Sequence, residues 1–273
     1  MQSNVNKSNH LNALLKILRL SFFFILLFFF IIIRSQGQKM ALLNMVNYDQ
    51  ERFHFGFVLG ANQCFTTLRP ISDLNTHIFD STYIPDILPL PDSARVLSVW
   101  STPAIGFVIS IVSNMRMGDH FDLRFIPSLS FGDRNLLYEI QSYRKGDTSA
   151  ISITKKVPST YINFPIEVRY KSLRYNNFRA YVMAGAQYTI DLASQAKKRE
   201  QKNADQKIVK FNGSDLYAEA GVGLEFYNEW FKFGVELKML YGLTDVLKRE
   251  RNLYTDSIES LKSKIFQVSF TFE

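Results

Sequence analysis

Few residues in this 273-residue chain have the types and spacings that catalysis uses. A histidine general base needs a proton donor or a carboxylate within reach, and the four histidines, His10, His54, His77 and His120, are scattered along the chain. His54 lies on the polar side of an alternating segment. It reads either as a lumenal general base or, more plainly, as a neutral histidine among polar neighbours. No G-x-S-x-G nucleophile elbow and no H-E-x-x-H zinc motif occurs. Gly221-Val222-Gly223 opens like a dinucleotide loop, but Phe226 stands where the third glycine belongs, and another strand-like segment follows in place of a helix. The single cysteine, Cys64, can form no disulfide within the chain and no thiolate metal site of its own. Asn212-Gly213-Ser214 satisfies a glycosylation sequon, yet Asn-Gly just before a strand reads as a turn. The sequence therefore predicts no catalytic residue, no metal, no cofactor, no small-molecule substrate and no enzyme.

The informative chemistry is instead a set of charges at alternate positions inside otherwise apolar segments: Asp122, Arg124, Glu167, Arg169, Glu219, Glu225, Lys232, Glu236 and Lys238. If their common face is enclosed, they must pair, because an isolated buried charge costs several kcal/mol. The expectation is a salt-bridge plug. The competing functional reading is a gated proton or solute path through the same residues.

The elements that must carry these charges are strands. From residue 53 onward, apolar residues alternate with polar or small ones at period 2. Phe53, Phe55, Phe57 and Leu59 oppose His54, Gly56, Val58 and Gly60; Ile105, Phe107, Ile109 and Ile111 oppose Gly106, Val108 and Ser110. The pattern recurs over 120–132, 159–170, 178–190, 215–226, 230–242 and 266–272, which makes eight strands. The spacers alternate in length: 65–102, 133–158, 191–213 and 243–263 are long, while 114–119, 171–177 and 227–229 are short. Long loops at one end, with short turns and both chain ends at the other, are the layout of an outer-membrane barrel. Gly56, Gly60, Gly106, Gly221, Gly223 and Gly234 share the charged face, where a narrow lumen would need room for long side chains. Tyr170, Phe178, Tyr188, Tyr227, Trp230 and Tyr241 fall where interfacial girdles would lie. A soluble eight-stranded barrel or a sandwich, with the apolar face inside, is the alternative.

Composition agrees. Hydrophobic residues make up 47% and charged residues 21% of the chain, which excludes a disordered protein. The mean hydropathy of -0.06, with one long apolar run, excludes a bundle of membrane helices. Aromatics reach 14%, a figure that favours strands and membrane interfaces. The net charge of +7 falls to +3 once the first 38 residues are set aside, because they hold Lys7, Lys16, Arg19 and Arg34 and no acid. What remains is mixed in sign, so nucleic acid is not an expected partner.

In the N-terminal segment, basic residues precede the apolar run Leu20 to Ile33, and small and polar residues follow it. That order is a secretory signal; the rival reading, a membrane anchor, needs about 20 apolar residues. The expected organisation is a signal peptide over 1–38, cleaved between Ser35 and Lys39, a periplasmic segment over 39–52, and an eight-stranded antiparallel transmembrane barrel over 53–273 in the outer membrane, with periplasmic termini and the lipid bilayer around it. Among the loops, 65–102 carries Pro70, Pro85, Pro89 and Pro91 with Ile84, Ile87, Leu88 and Leu90, and packs over the barrel mouth or on a partner. Loop 191–213 is basic, with Lys197, Lys198, Arg199, Lys202, Lys207 and Lys210. In 243–263, Leu247, Tyr254, Ile258 and Leu261 recur at near-helical spacing, with Asp256 and Glu259 placed like a capping box. This predicts a short surface helix whose apolar stripe suits a partner or folds back on the barrel.

Several blocks in order, FHFGFVLGAN, LRFIPSLSFGDRNLLY, STYINFPIEVRYKSLRYNNFRAYVMAGAQYTIDLAS, YAEAGVGLEFY, FKFGVELKMLYGLTDVL and KIFQVSFTFE, resemble the PorT family, outer-membrane barrels of the Bacteroidetes type IX secretion and gliding-motility machinery. The resemblance runs from about residue 47 to the end. It implies a non-enzymatic role in cargo export across the outer membrane, beside other type IX outer-membrane proteins that include a larger translocon. It brings no catalytic residue with it. An eight-stranded barrel filled by its own side chains has no room for a protein, so the implied role is accessory. A general structural or adhesive surface barrel is the alternative, and a barrel enzyme using His54 is a third reading.

Overall fold

The computed structural model describes residues 43–84, 91–192 and 211–273. The expected signal peptide, the loop residues Pro85, Ile87, Leu88 and Pro89, Leu90 beside them, and the basic run from Lys197 to Lys210 lie outside the described residues. No described helix is long and apolar enough to cross a membrane.

The strands are β1 (Phe53–Pro70), β2 (Phe79–Asp80), β3 (Ser93–Thr102), β4 (Ala104–Arg116), β5 (Phe121–Phe125), β6 (Ser128–Arg144), β7 (Asp147–Lys171), β8 (Phe178–Asp191), β9 (Ser214–Tyr227), β10 (Lys232–Gly242) and β11 (Ile258–Phe272). All belong to one antiparallel sheet. Two of the breaks fall at prolines, which lack the N–H that a ladder needs. Pro103 separates β3 from β4, and Ile126-Pro127 separates β5 from β6. Registers run on across both breaks: β6 pairs β3 at Asn135↔Thr102 and β4 at Phe131↔Phe107, while β7 pairs β5 at Ile166↔Phe125 and β6 at Asn163↔Ser128. The segments thus form eight staves plus the short β2. Phe57 of β1 is opposite Phe272 of β11 and Ile111 of β4, so the pairing returns on itself as a ring.

The two faces differ as the alternation requires. Phe55, Phe57, Ile105, Ile111, Ile166, Val182, Val222 and Leu237 are exposed on the outside, whereas Arg124, Glu167, Arg169 and Glu236 are 0–1% exposed on the inside. This pattern reverses along the taller staves. On β6 the outward residues pass from Leu129 and Phe131 to Asp133 and Glu139, and the inward ones from Ser130 and Arg134 to Leu136, Tyr138 and Ile140. On β11 the outward residues pass from Phe266 to Lys264 and Lys262, and the inward ones from Gln267 to Leu261 and Ile258. Below the switch the wall suits lipid outside; above it the wall suits water outside with an apolar core within.

That upper core corrects three expectations. The spacer 133–158 is no loop, because β6 and β7 continue through it to a two-residue turn, with Arg144 opposite Asp147. Much of 65–102 is also strand, in the upper part of β1 and in β2 and β3. In 243–263 the helix is a single turn, α1 (Leu253–Asp256), capped by Asn252 Oδ1 accepting from Thr255 N, with no Asp256–Glu259 capping box. Its proposed partner stripe is internal: Leu247, Tyr254, Ile258 and Leu261 are 0–4% exposed. They pack with Leu74, Phe79, Ile84, Val96, Leu136 and Tyr138, and close the long-loop end of the barrel. Ile258 and Leu261 belong to β11, so helical spacing was the wrong period for them.

Candidate functional site

The nine charged residues all point inward, and neighbouring staves bring them together. Their room comes from the partner strands. Across the ladders, Glu225 is opposite Gly234, Glu236 opposite Gly223, Lys238 opposite Gly221, and Glu219 opposite Gly185. A Cβ on Gly223 would fall inside the Tyr181 ring, and one on Gly221 would lie 2.8 Å from Lys238 Cγ. These glycines fill no turn; they are the space that the long side chains occupy.

At the centre, Glu236 Oε1 accepts hydrogen bonds from Arg124 Nη1 at 2.7 Å, Arg169 Nη2 at 2.8 Å, Tyr181 Oη at 2.8 Å and Thr271 Oγ1 at 3.2 Å. Arg124 also donates to Glu273 at 2.8 Å, and Arg169 to Glu225. The Arg169 guanidinium stacks 3.8 Å from the Tyr181 ring centroid. Lys232 bridges Glu225 at 3.1 Å and Glu273 at 2.5 Å. Around this centre, Lys171 pairs with Asp122 at 2.7 Å, and Lys238 with Glu167 at 2.5 Å. Glu219 lies beside Glu167, Lys238 and Glu236 and makes no hydrogen bond with a described residue. Charge-assisted bonds at these distances are the strong kind, and in this enclosed setting each member holds the next in place.

Toward the long loops the lumen turns from ionic to neutral polar. Asn163 Nδ2 donates to Ser128 and Ser130, Thr189 Oγ1 donates to Asn163 Oδ1, and Gln187 Nε2 donates to Thr189. Above them Arg134 donates to Tyr217 Oη at 2.9 Å and lies over the rings of Tyr161 and Phe211. The apolar cap follows.

The short-turn end is closed by the segment ahead of β1. Asp49 accepts two bonds from Arg179, at 2.9 and 3.1 Å, and lies 3.5 Å from Arg174. Burial raises its carboxyl pKa, but the bonds and charge of Arg179, with Arg174 and Lys171, outweigh that and hold it below the usual carboxylate value. Tyr48 donates to Glu273 at 2.7 Å and stacks on His54 at 3.8 Å. His54 is therefore a wedged ring at the lumen mouth, 4.0 Å from Glu51.

Sequence reasoning missed several members of this network. Lys171, Arg179, Tyr181 and Glu273 are in phase with the inward positions of their strands, so the period-2 signal extends to them. Glu273, directly after Phe272, is an interior ligand of two cations and a tyrosine. Tyr48 and Asp49 precede the first strand, and no periodicity marks them. Tyr227, expected in an interfacial girdle, is 2% exposed inside the barrel because it shares the phase of Glu225. Tyr170, Tyr188 and Trp230 are exposed outside. Among the described residues no cluster of His, Cys, Asp and Glu is arranged to hold a metal.

Solved structures of other proteins align with much of the chain at low identity. The outer membrane protein OprG of Pseudomonas aeruginosa is 12% identical with a TM-score of 0.32, over 82% of this chain and 95% of that one. A FadL homologue of P. aeruginosa is 8% identical with a TM-score of 0.23, over 81% and 90%. The NanC porin is 9% identical with a TM-score of 0.21, over 79% and 99%. No curated protein sequence matches the chain. The family model for the outer membrane protein beta-barrel domain matches residues 35–248, in keeping with the inward-charged, outward-apolar antiparallel ring, and the chain belongs to that family.

Proposed function

We propose that this outer-membrane barrel is a non-enzymatic accessory component of type IX protein secretion, acting on cargo export and gliding motility through its ends rather than through its lumen. The observation that carries the accessory role is the filled interior. The Arg124–Glu236–Arg169–Glu225 cluster occupies the middle, the Tyr48–Asp49 segment closes one mouth, and the apolar cap closes the other. A polypeptide cannot pass such a barrel, so a larger partner must provide the conduit. The assignment to type IX secretion rests on the ordered PorT-like blocks. In this reading the short turns and both termini face the periplasm, where other components of the machinery dock. The second reading is a structural or adhesive surface barrel, favoured by the tall β6–β7 hairpin beyond the lipid-facing band.

The test is the secreted-protein profile of a deletion strain beside one complemented in trans. The expected result is type IX cargo held in the periplasm while other outer-membrane proteins stay at normal levels. Normal export with the barrel absent would overturn the secretion role and leave the structural reading.

A further inference from the structure

Two lysines stand at the upper rim of the lipid-facing band without an acid of their own. On β11, Lys262 and Lys264 face outward just above Phe266, the last apolar residue of the band on that strand. Lys264 is opposite Tyr241 of β10 and Phe65 of β1, and Lys262 is opposite Thr67. Both ammonium groups lie over aromatic rings of the rim: Lys264 Nζ is 5.2 Å from the Phe266 centroid, and Lys262 Nζ is 5.9 Å from that of Tyr241. Neither lysine makes an ion pair with a described residue. The acids around them are engaged elsewhere. Glu259 pairs with Arg69 at 3.0 Å, and Asp245 with Arg249 at 3.5 Å. Glu250 and Asp256 lie in the loop beyond, where Lys248 and Arg251 offset their charge. On the other flank, the outward acids Asp133 and Glu139 belong to β6. That stave is separated from β11 by β1 and the β3–β4 stave, about 14 Å of wall at about 4.8 Å per step.

Directly below the two lysines the outer wall is indented. A groove of about 530 Å³ is lined by Ala61, Ala220, Val222, Leu237, Met239 and Phe266. Its depth comes from the alanines, which stand among larger outward side chains; Met239 is opposite both Ala220 and Phe266, so the groove crosses β9, β10 and β11. All six side chains are on the lipid face. Phe266 joins the two features, because it lines the groove and carries the Lys264 ammonium on its ring.

We propose that Lys262, Lys264 and the groove beneath them bind one lipid with a terminal phosphate monoester. The phosphate is held by the two ammonium groups, and an acyl chain lies in the groove. Charge and shape set the class. A phosphate monoester carries about −1.5 to −2 near neutral pH and offers three acceptor oxygens, which matches two ammonium donors. A zwitterionic head group has no net charge to offer, and a phosphodiester has about half as much. The two lysine Cα atoms are about 6.6 Å apart at about 3.3 Å per residue, and their flexible four-carbon stems let both amines reach one phosphate. At the rim of the hydrocarbon such charge-assisted bonds are less screened than in open water. On the orientation proposed above the lipid belongs to the outer leaflet, although the binding itself does not depend on which leaflet supplies it.

The experiment titrates the full barrel in mild detergent with phosphatidic acid, phosphatidylglycerol or phosphatidylcholine of equal chain length, and reads bound lipid by native mass spectrometry. One phosphatidic acid is expected to bind saturably, about tenfold or more tighter than phosphatidylcholine and measurably tighter than phosphatidylglycerol. Lys262→Gln with Lys264→Gln should weaken it about tenfold. Arg144→Gln with Lys156→Gln removes the same net charge from exposed positions of the β6–β7 hairpin and should leave it unchanged. Ala220→Phe fills the groove while keeping both lysines, and should weaken binding about fivefold. Millimolar inorganic phosphate should not displace the lipid. Each of five results would overturn the proposal: no preference for phosphatidic acid; unchanged binding by the folded Lys262–Lys264 variant or by Ala220→Phe; an equal loss in the hairpin variant, which means general attraction to a basic protein; displacement by inorganic phosphate, which means a site for free phosphate; or dimers in place of lipid adducts, which gives the groove to a second copy of the chain.

Discussion

Replacing Glu236 by alanine tests whether the lumen charges are a structural unit. One oxygen of Glu236 receives four donors, two of them guanidinium groups, in a site that is 0% exposed. Removing one partner of a buried ion pair costs about 3–5 kcal/mol, because the other charge stays buried without compensation. Two features pull toward the lower end: Arg124 keeps Glu273 and Arg169 keeps Glu225. A loss of about 3 kcal/mol is expected for Glu236→Ala. For Glu236→Gln, which retains an acceptor oxygen, the loss should be about half. The assay is urea unfolding of the barrel in lipid vesicles, followed by tryptophan emission, with the unheated gel shift as a second probe of the closed ring. At a typical urea slope of about 1–3 kcal/mol per molar, the alanine variant should unfold at least one molar earlier. An unchanged midpoint would refute the reasoning. An unchanged midpoint with new ion conductance would show instead that these residues line a path.

Gly223→Ala puts a methyl group into the Tyr181 ring. Folding yield should fall sharply and recover in part when Tyr181→Ala is added, which a double-mutant comparison by gel shift would show. Val182→Arg places a charge on the lipid face and should cost about 2–4 kcal/mol near the bilayer midplane, against less than 1 kcal/mol for a polar replacement at exposed Ser152; urea midpoints decide. The carboxyl of Asp49 is held below its ordinary value of 3.8, so its contribution to stability is present above that pH and is lost as pH falls through the lower folded value. Limited proteolysis should therefore find the 43–52 segment protected at neutral pH and released in acid, and Asp49→Asn should release it at neutral pH as well.

The sequence by itself determined the antiparallel barrel, its lipid-facing side and nine members of its charged interior. Each of these follows from one local rule: side chains on a strand alternate, and a two-residue period survives whatever the register. Glu225, Glu236 and Lys238 were legible because lipid on one side and an enclosed lumen on the other demand opposite polarity at adjacent positions. Tertiary structure decided which charges meet. Arg124, Arg169 and Glu236 lie on three staves, and only the register of the closed ring brings their atoms within 3 Å. It also decided where the polarity rule reverses, because the level at which lipid gives way to water depends on how high each stave stands in the assembled barrel. Leu247, Tyr254, Ile258 and Leu261 fell beyond that level, so a stripe that suited either a partner or the barrel itself is the protein's own core.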